Sequence, residues 1–208
     1  GSGDVSLWDD EDGFYYDVLV REDGSYQRLR ARSMVGLLPL LAVQYAPGWT
    51  TKHLPDFTAR LRWLQARRPD LVDGLLDRTG EDGQPALLSL LDPERLERVC
   101  TRMLDEQEFL SPFGIRSLSA SYREPYSTEI AGEHMEIDYQ PGESRSWMFG
   151  GNSNWRGPVW FPVNYLIIES LQKFDHYFGD DLKVEFPTGS CNFLNLWEVA
   201  AELSKRLS

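Results

Sequence analysis

Ser146-Trp147-Met148-Phe149-Gly150-Gly151-Asn152-Ser153-Asn154-Trp155-Arg156-Gly157-Pro158-Val159-Trp160 sets three tryptophans, two asparagines and an arginine around a glycine-rich turn. It runs directly into an apolar stretch, Pro158 to about Phe178, that reads as a helix closed by Gly179. A sugar ring needs this mixture: its C–H faces pack on indole, and its hydroxyls need amides and guanidinium forks in fixed positions. Trp147, Asn154, Trp155, Arg156, Gly157 and Trp160 are the candidate sugar-binding residues. Taken one at a time, the same tryptophans serve equally well as core residues and the glycines as a plain turn.

Downstream, Leu182-Lys183-Val184-Glu185-Phe186-Pro187-Thr188-Gly189-Ser190 carries a lone glutamate between apolar neighbours, just before a Pro-Gly loop. A carboxylate so placed is the residue type that acid/base chemistry on glycosidic bonds uses, although a surface carboxylate is the commoner role of such a residue. A last helix, Leu194 to Leu207, packs Leu196, Val199, Ala200 and Leu203. Upstream, Ser111 to Trp155 lacks periodicity and is rich in Gly, Pro, Ser, Tyr, Asn and Trp, so it reads as a long functional loop.

Farther back, Asp92-Pro93-Glu94 supplies an N-cap, an N1 proline and an acidic first turn for a helix to about Leu104. Leu54, Phe57, Leu61 and Leu64 mark an amphipathic helix after a Pro47-Gly48 turn, and Glu81 to Pro85 reads as a loop. Ser33 caps an apolar stretch, Met34 to Tyr45, interrupted by Gly36 and Pro39. Gly13 to Val20 and Ser25 to Leu29 flank Asp23-Gly24, which predicts a hairpin with a tight primed turn. Roughly six helices with little sheet predict a mainly α fold of paired helices whose loops collect on one face.

Composition narrows the partners. The 208 residues carry 21 Lys+Arg against 33 Asp+Glu, a formal net charge of -12, which repels nucleic acid and anionic membranes. No apolar run reaches the roughly 20 residues a spanning helix needs, since Pro162, Asn164 and Glu169 break the longest. Cys100 and Cys191 lack metal-type spacing and predict two buried thiols in a reducing, cytoplasmic setting. Gly1 to Gly3 reads as a linker or cloning scar, with a single unit from Asp4 to Ser208.

Other clusters predict nothing chemical. Asp9, Asp10, Glu11 and Asp12 do not fit a calcium loop and read as a solvated run; Ser127, Glu129, His134 and Glu136 lack the spacing of a metal or nucleophile set. His53 and His176 suit ordinary polar roles on helices. No metal and no cofactor is expected.

Asn154-Trp155-Arg156-Gly157-Pro158-Val159-Trp160, followed by Asn164-Tyr165-Leu166, resembles glycoside hydrolase family 63, the processing α-glucosidases, bacterial α-glucosidases and mannosylglycerate hydrolases. Leu7 to Val18, Arg32-Ser33-Met34-Val35-Gly36-Leu37 and the Glu185 segment leading into Leu196-Trp197-Glu198 fit the same family. The resemblance implies part of an (α/α)6 helical toroid with long loops and a short β-hairpin. It also implies hydrolysis with inversion by two carboxylates. By motif, Glu185 matches the general base, Trp155, Arg156 and Trp160 match the substrate pocket, and Arg32 matches a helix start near the same face.

The family's general acid is an aspartate upstream of the Leu7 to Asp12 stretch, and nothing in this chain matches that segment. The resemblance therefore implies the C-terminal part of a catalytic domain, acting on an α-linked oligosaccharide or glycoside and inactive or weakly active alone. It would be completed by a complementary half or by self-association through the exposed half-toroid face. A non-catalytic carbohydrate-binding module and a helical interaction scaffold are the alternatives.

Overall fold

The computed structural model describes residues 5–69, 76–77, 85–130, 132–142 and 157–208. Among the described residues five α-helices carry the fold: α1 (Gly48–His53), α2 (Pro55–Arg67), α3 (Pro93–Met103), α4 (Phe161–Phe178) and α5 (Leu196–Arg206). α4 is central. Its buried face, Asn164, Ile167, Ile168, Ser170, Leu171 and Phe174, packs against α5, the strand Val43–Ala46 and the 3-10 segment Met34–Leu41. α3 turns Leu96, Val99, Cys100 and Met103 into the same core and rests on the strand Lys183–Glu185. One apolar cluster joins these faces to Phe14, Leu37, Phe109, Leu110 and Phe186.

The expected caps are present. Asp92 accepts from the Arg95 N–H at 2.8 Å with Pro93 in the first turn, and Gly179 closes α4. α5 starts two residues later than Leu194 because Asn195 and Glu198 form a reciprocal capping box, Asn195 accepting from the Glu198 N–H and Glu198 from the Asn195 N–H. Ser33 caps as expected, but the following helix is 3-10 and stops at Leu41, and the chain continues as a strand. Pro39 has no N–H to reach back four residues and crowds that carbonyl, so the tighter i→i+3 pattern wins.

The sheet content exceeds expectation. Among the described residues lie six small antiparallel sheets instead of one short hairpin. The expected hairpin pairs Asp17–Val20 with Tyr26–Leu29, yet its turn is not a primed two-residue one. The Gly24 N–H reaches the Arg21 carbonyl at 2.9 Å, Gly24 has φ +81, and Asp23 accepts from the Ser25 N–H. Only Gly24 enters the left-handed region, so the connection is a four-residue turn with a glycine exit. Pro47 and Gly48 begin α1 rather than ending in a turn, and the expected loop at Glu81 falls largely outside the described residues.

The long region after Ser111 is not all loop: Tyr126–Ile130 pairs with Glu133–Ile137, placing Ser127 opposite Glu136 and Glu129 opposite His134 on exposed positions. Both cysteines are free. Cys100 is buried, and burial pushes its thiol up to about 12, while Cys191 is exposed in the loop after Glu185, against the expectation of two buried thiols. His176 stacks on Trp197, 5.7 Å between ring centroids. Among the described residues no helix is long and apolar enough to cross a membrane, and no group of His, Cys, Asp and Glu is arranged to hold a metal.

Candidate functional site

Trp147, Asn154, Trp155 and Arg156 lie outside the described residues, and the aromatic strip becomes visible at Gly157. There φ is +133, and a Cβ would stand 2.3 Å from the Tyr139 ring, so only glycine lets the strip pass over that ring. The Gly157 N–H donates to Ser117 Oγ at 3.0 Å, the Ser117 N–H donates to the Pro158 carbonyl at 3.0 Å, and Val159 bridges to Arg116. Trp160 ends the strip as the N-cap of α4, half-buried against the core. Asn164 locks the junction: its Oδ1 accepts from the Ile115 N–H at 2.7 Å, and its amide donates to the carbonyls of Ile115 and Trp160.

Arg32 meets the same backbone from the other side. Its carbonyl accepts from the Ser119 N–H, the Met34 N–H donates to the Ser117 carbonyl, and Ser33 bridges to Leu118. Its guanidinium donates to Glu108 Oε1 at 2.6 Å and to the Tyr16 hydroxyl at 3.1 Å, with Asp12 at 3.6 Å. Burial works against that charge, but the Tyr16 bond and the Glu108 carboxylate outweigh it and hold Arg32 firmly protonated. Burial and the bond to Asp12 likewise push the Tyr16 hydroxyl well up.

The segment from Glu108 to Ser119 is thus the spine of the site, and it was missed in the sequence. Glu108, Arg116, Ser117 and Ser119 are all buried. The Arg116 guanidinium donates to the carbonyls of Glu106, Glu108 and Leu110 and to the Tyr139 hydroxyl. Glu108 accepts from Arg32, from Arg102 at 3.2 Å and from the Ser119 hydroxyl. The available signal was the alternation Ile115-Arg116-Ser117-Leu118-Ser119 after a Pro-Phe-Gly turn, with polar groups that need partners once buried.

The acidic run near the amino terminus also departs from expectation. Asp9 is buried, not solvated: Oδ1 accepts from the N–H groups of Glu11 and Asp12, and Oδ2 from Arg28 at 2.7 Å and Arg30 at 2.9 Å. Burial pushes its carboxyl up, but the Asp12 N–H and the two guanidiniums together hold it below the usual carboxylate range. With the folded value depressed, this stability is complete above the unfolded value of about 3.9 and is lost as pH falls through the folded one. In Asp9→Asn, thermal unfolding midpoints should change less steeply with acidification below about pH 4 than in the parent. An unchanged slope would remove Asp9 as a source of acid sensitivity.

Glu185 ends the strand Lys183–Glu185, paired with Phe193–Asn195, and is half-buried. Its Oε2 accepts from the Gly189 N–H and its Oε1 from the Cys191 N–H, both at 2.8 Å. Phe186, joined to Pro187 by a cis peptide bond, is buried beneath the Arg206 guanidinium at 5.1 Å, and Arg206 donates to the Ser111 carbonyl at 2.6 Å. The spine therefore touches all three described parts: the Arg32 segment, the Gly157 strip and, through Arg206, the Glu185 hairpin.

Residues 77–181, half of the chain, match the family model of the mannosylglycerate hydrolase MGH1-like glycoside hydrolase domain. The chain belongs to this family. The match spans Glu108, Arg116, Gly157 and Trp160 of this MGH1-like domain, while Arg32 and Glu185 lie to either side of it. An uncharacterised protein of Saccharomyces cerevisiae is 46% identical over 205 residues, 97% of this chain and 19% of its own length. A probable mannosyl-oligosaccharide glucosidase of Schizosaccharomyces pombe is 35% identical over 89 residues, 42% of this chain and 8% of its own length. The MGH1-like chain thus spans about a fifth of the first relative and less of the second. The family-model match and the likeness to the Schizosaccharomyces pombe glucosidase bear out the resemblance to glycoside hydrolase family 63.

Proposed function

We propose that the chain supplies the general base and the aromatic sugar-binding wall of an inverting α-glycoside hydrolase of α-glucosidase type, as part of an (α/α)6 toroid. The observation that carries this reading is the Glu185 carboxylate, held at each oxygen by a backbone N–H in a hairpin tied to the same spine that holds Gly157. Each oxygen keeps a further lone pair for a water. Glu185 takes a proton from that water as its oxygen bonds the anomeric carbon, and the glycosidic bond breaks toward a leaving oxygen protonated by a second carboxylic acid. Among the described residues Asp9 and Glu108 are committed to arginines and Glu129 and Glu136 stand on an exposed hairpin, which supports assigning that acid to the complementary half of the catalytic domain. Phe161, Tyr165 and Leu166 in the first turns of α4 are exposed, as is Trp197 on α5 beside His176, apolar side chains for the complementary half of the catalytic domain to cover.

The test is a chimera in which this chain replaces the corresponding stretch of the Saccharomyces cerevisiae relative. It is assayed beside the chain alone on α-linked glucose disaccharides, an aryl α-glucoside and mannosylglycerate. The chimera releases sugar with inverted configuration and the chain alone does not. Turnover by the isolated chain would place an acid within it, and no turnover by the chimera on any of these substrates would overturn the glycosidase reading. In the chimera, Trp155→Ala weakens sugar affinity about tenfold by removing a stacking face, read from titration of intrinsic fluorescence. Unaltered affinity would take Trp155 out of the pocket.

A further inference from the structure

We infer that the loop Pro187–Asn192, with Thr188 as its anchor, is a positioning device for the Glu185 carboxylate; this rests on the proposed role of Glu185 as base. The loop makes contacts in two directions. Inward, the N–H groups of Gly189 and Cys191 take one carboxylate oxygen each, which fixes the plane as well as the position of the group. Outward, the Thr188 N–H donates to the Leu104 carbonyl at 3.0 Å, and Thr188 Oγ1 donates to the Thr101 carbonyl at 2.8 Å.

Those two carbonyls lie at the C-terminal end of α3, where helical geometry leaves acceptors without intrahelical donors. α3 is a firm support, because Leu96, Val99, Cys100 and Met103 on its inner face are almost wholly excluded from solvent. The loop closes on itself through Phe186 and Asn192, whose backbone and side-chain amides cross-bond. A carboxylate that must remove a proton from one water has to be held within about half an ångström, and a rigid helix reached through one threonine meets that demand. Thr188 touches neither substrate nor reacting atoms in this scheme and acts through Glu185.

The experiment is a double-mutant cycle in the chimera, measured as single-turnover rates on an aryl α-glucoside. Thr188→Val keeps the volume and removes the hydroxyl donor. It lowers kcat about ten- to a hundredfold with KM nearly unchanged, and Thr188→Ser restores most of the rate. In a Glu185→Gln background, Thr188→Val lowers the residual rate no further, because the group it positions no longer acts. An equal loss in both backgrounds, or none in the parent, overturns the positioning role while leaving Glu185 as base. Full turnover in Glu185→Gln alone would instead sink the underlying assignment.

Discussion

Glu185→Gln in the chimera is expected to lower kcat by about 10²- to 10⁴-fold and to leave sugar affinity nearly unchanged. The substitution keeps the side-chain length and removes the negative charge that receives the proton, so binding made elsewhere survives and the chemical step does not. The hydrogen bonds add a complication particular to this site. Both carboxylate oxygens accept from backbone N–H groups, and a glutamine offers one oxygen and one NH₂, so either Gly189 or Cys191 faces a donor. The loop opens on that side to water, and its exposed position keeps the structural loss small. Glu185→Asp separates the two effects, because it keeps both acceptors and the charge but withdraws them by one methylene; it is expected to fall between parent and glutamine. Initial rates and sugar titrations on the three proteins decide, and a glutamine variant as fast as the parent would remove Glu185 from the mechanism.

Where local chemistry suffices, the sequence was legible. Asp92 before Pro93, Ser33 before Met34 and Gly179 after Phe178 each satisfy or free specific backbone groups within four residues, and each cap stands in the structure. The family was legible through the string Asn154 to Trp160, whose order of tryptophan, arginine, glycine and proline carries the resemblance. Sheet was underestimated because the strands are short: Trp8–Asp9, Phe14–Tyr15, Leu110–Ser111 and Gly114–Ile115 hold two residues each, too few for a period to show.

The missed residues share a different cause, which is distance along the chain. Asp9 looks solvated until Arg28 and Arg30, 19 and 21 residues on, are brought over it by the hairpin. Arg28, Arg30 and Arg32 recur at every second position, a pattern that already places them on one side of an extended chain. Glu108 meets its partner Arg32 across 76 residues, and Ile115 meets Asn164 across 49. Composition names such groups, but only the folded chain supplies the partner that makes burial tolerable.

Removing Glu108 should have the largest effect on stability of any change at the site's base. Glu108 is buried, and its two oxygens receive Arg32, Arg102 and the Ser119 hydroxyl. Breaking a buried ion pair by deleting one partner costs about 3–5 kcal/mol. Here the arginine side chains keep 23% and 29% of their exposure, and Asp12 stands 3.6 Å from each, which together relieve part of the stranded charge. Glu108→Leu is therefore expected to lower unfolding free energy by roughly 2–4 kcal/mol, measured by denaturant titration. The loss comes from stranding two cations more than from any net attraction, so adding Arg32→Met and Arg102→Met should recover much of it. If the three losses simply add, the carboxylate is a local acceptor for Ser119 and the arginines are held by Asp12 alone. If the triple variant regains stability but the chimera carrying it loses sugar turnover, these three side chains serve the site more than the fold.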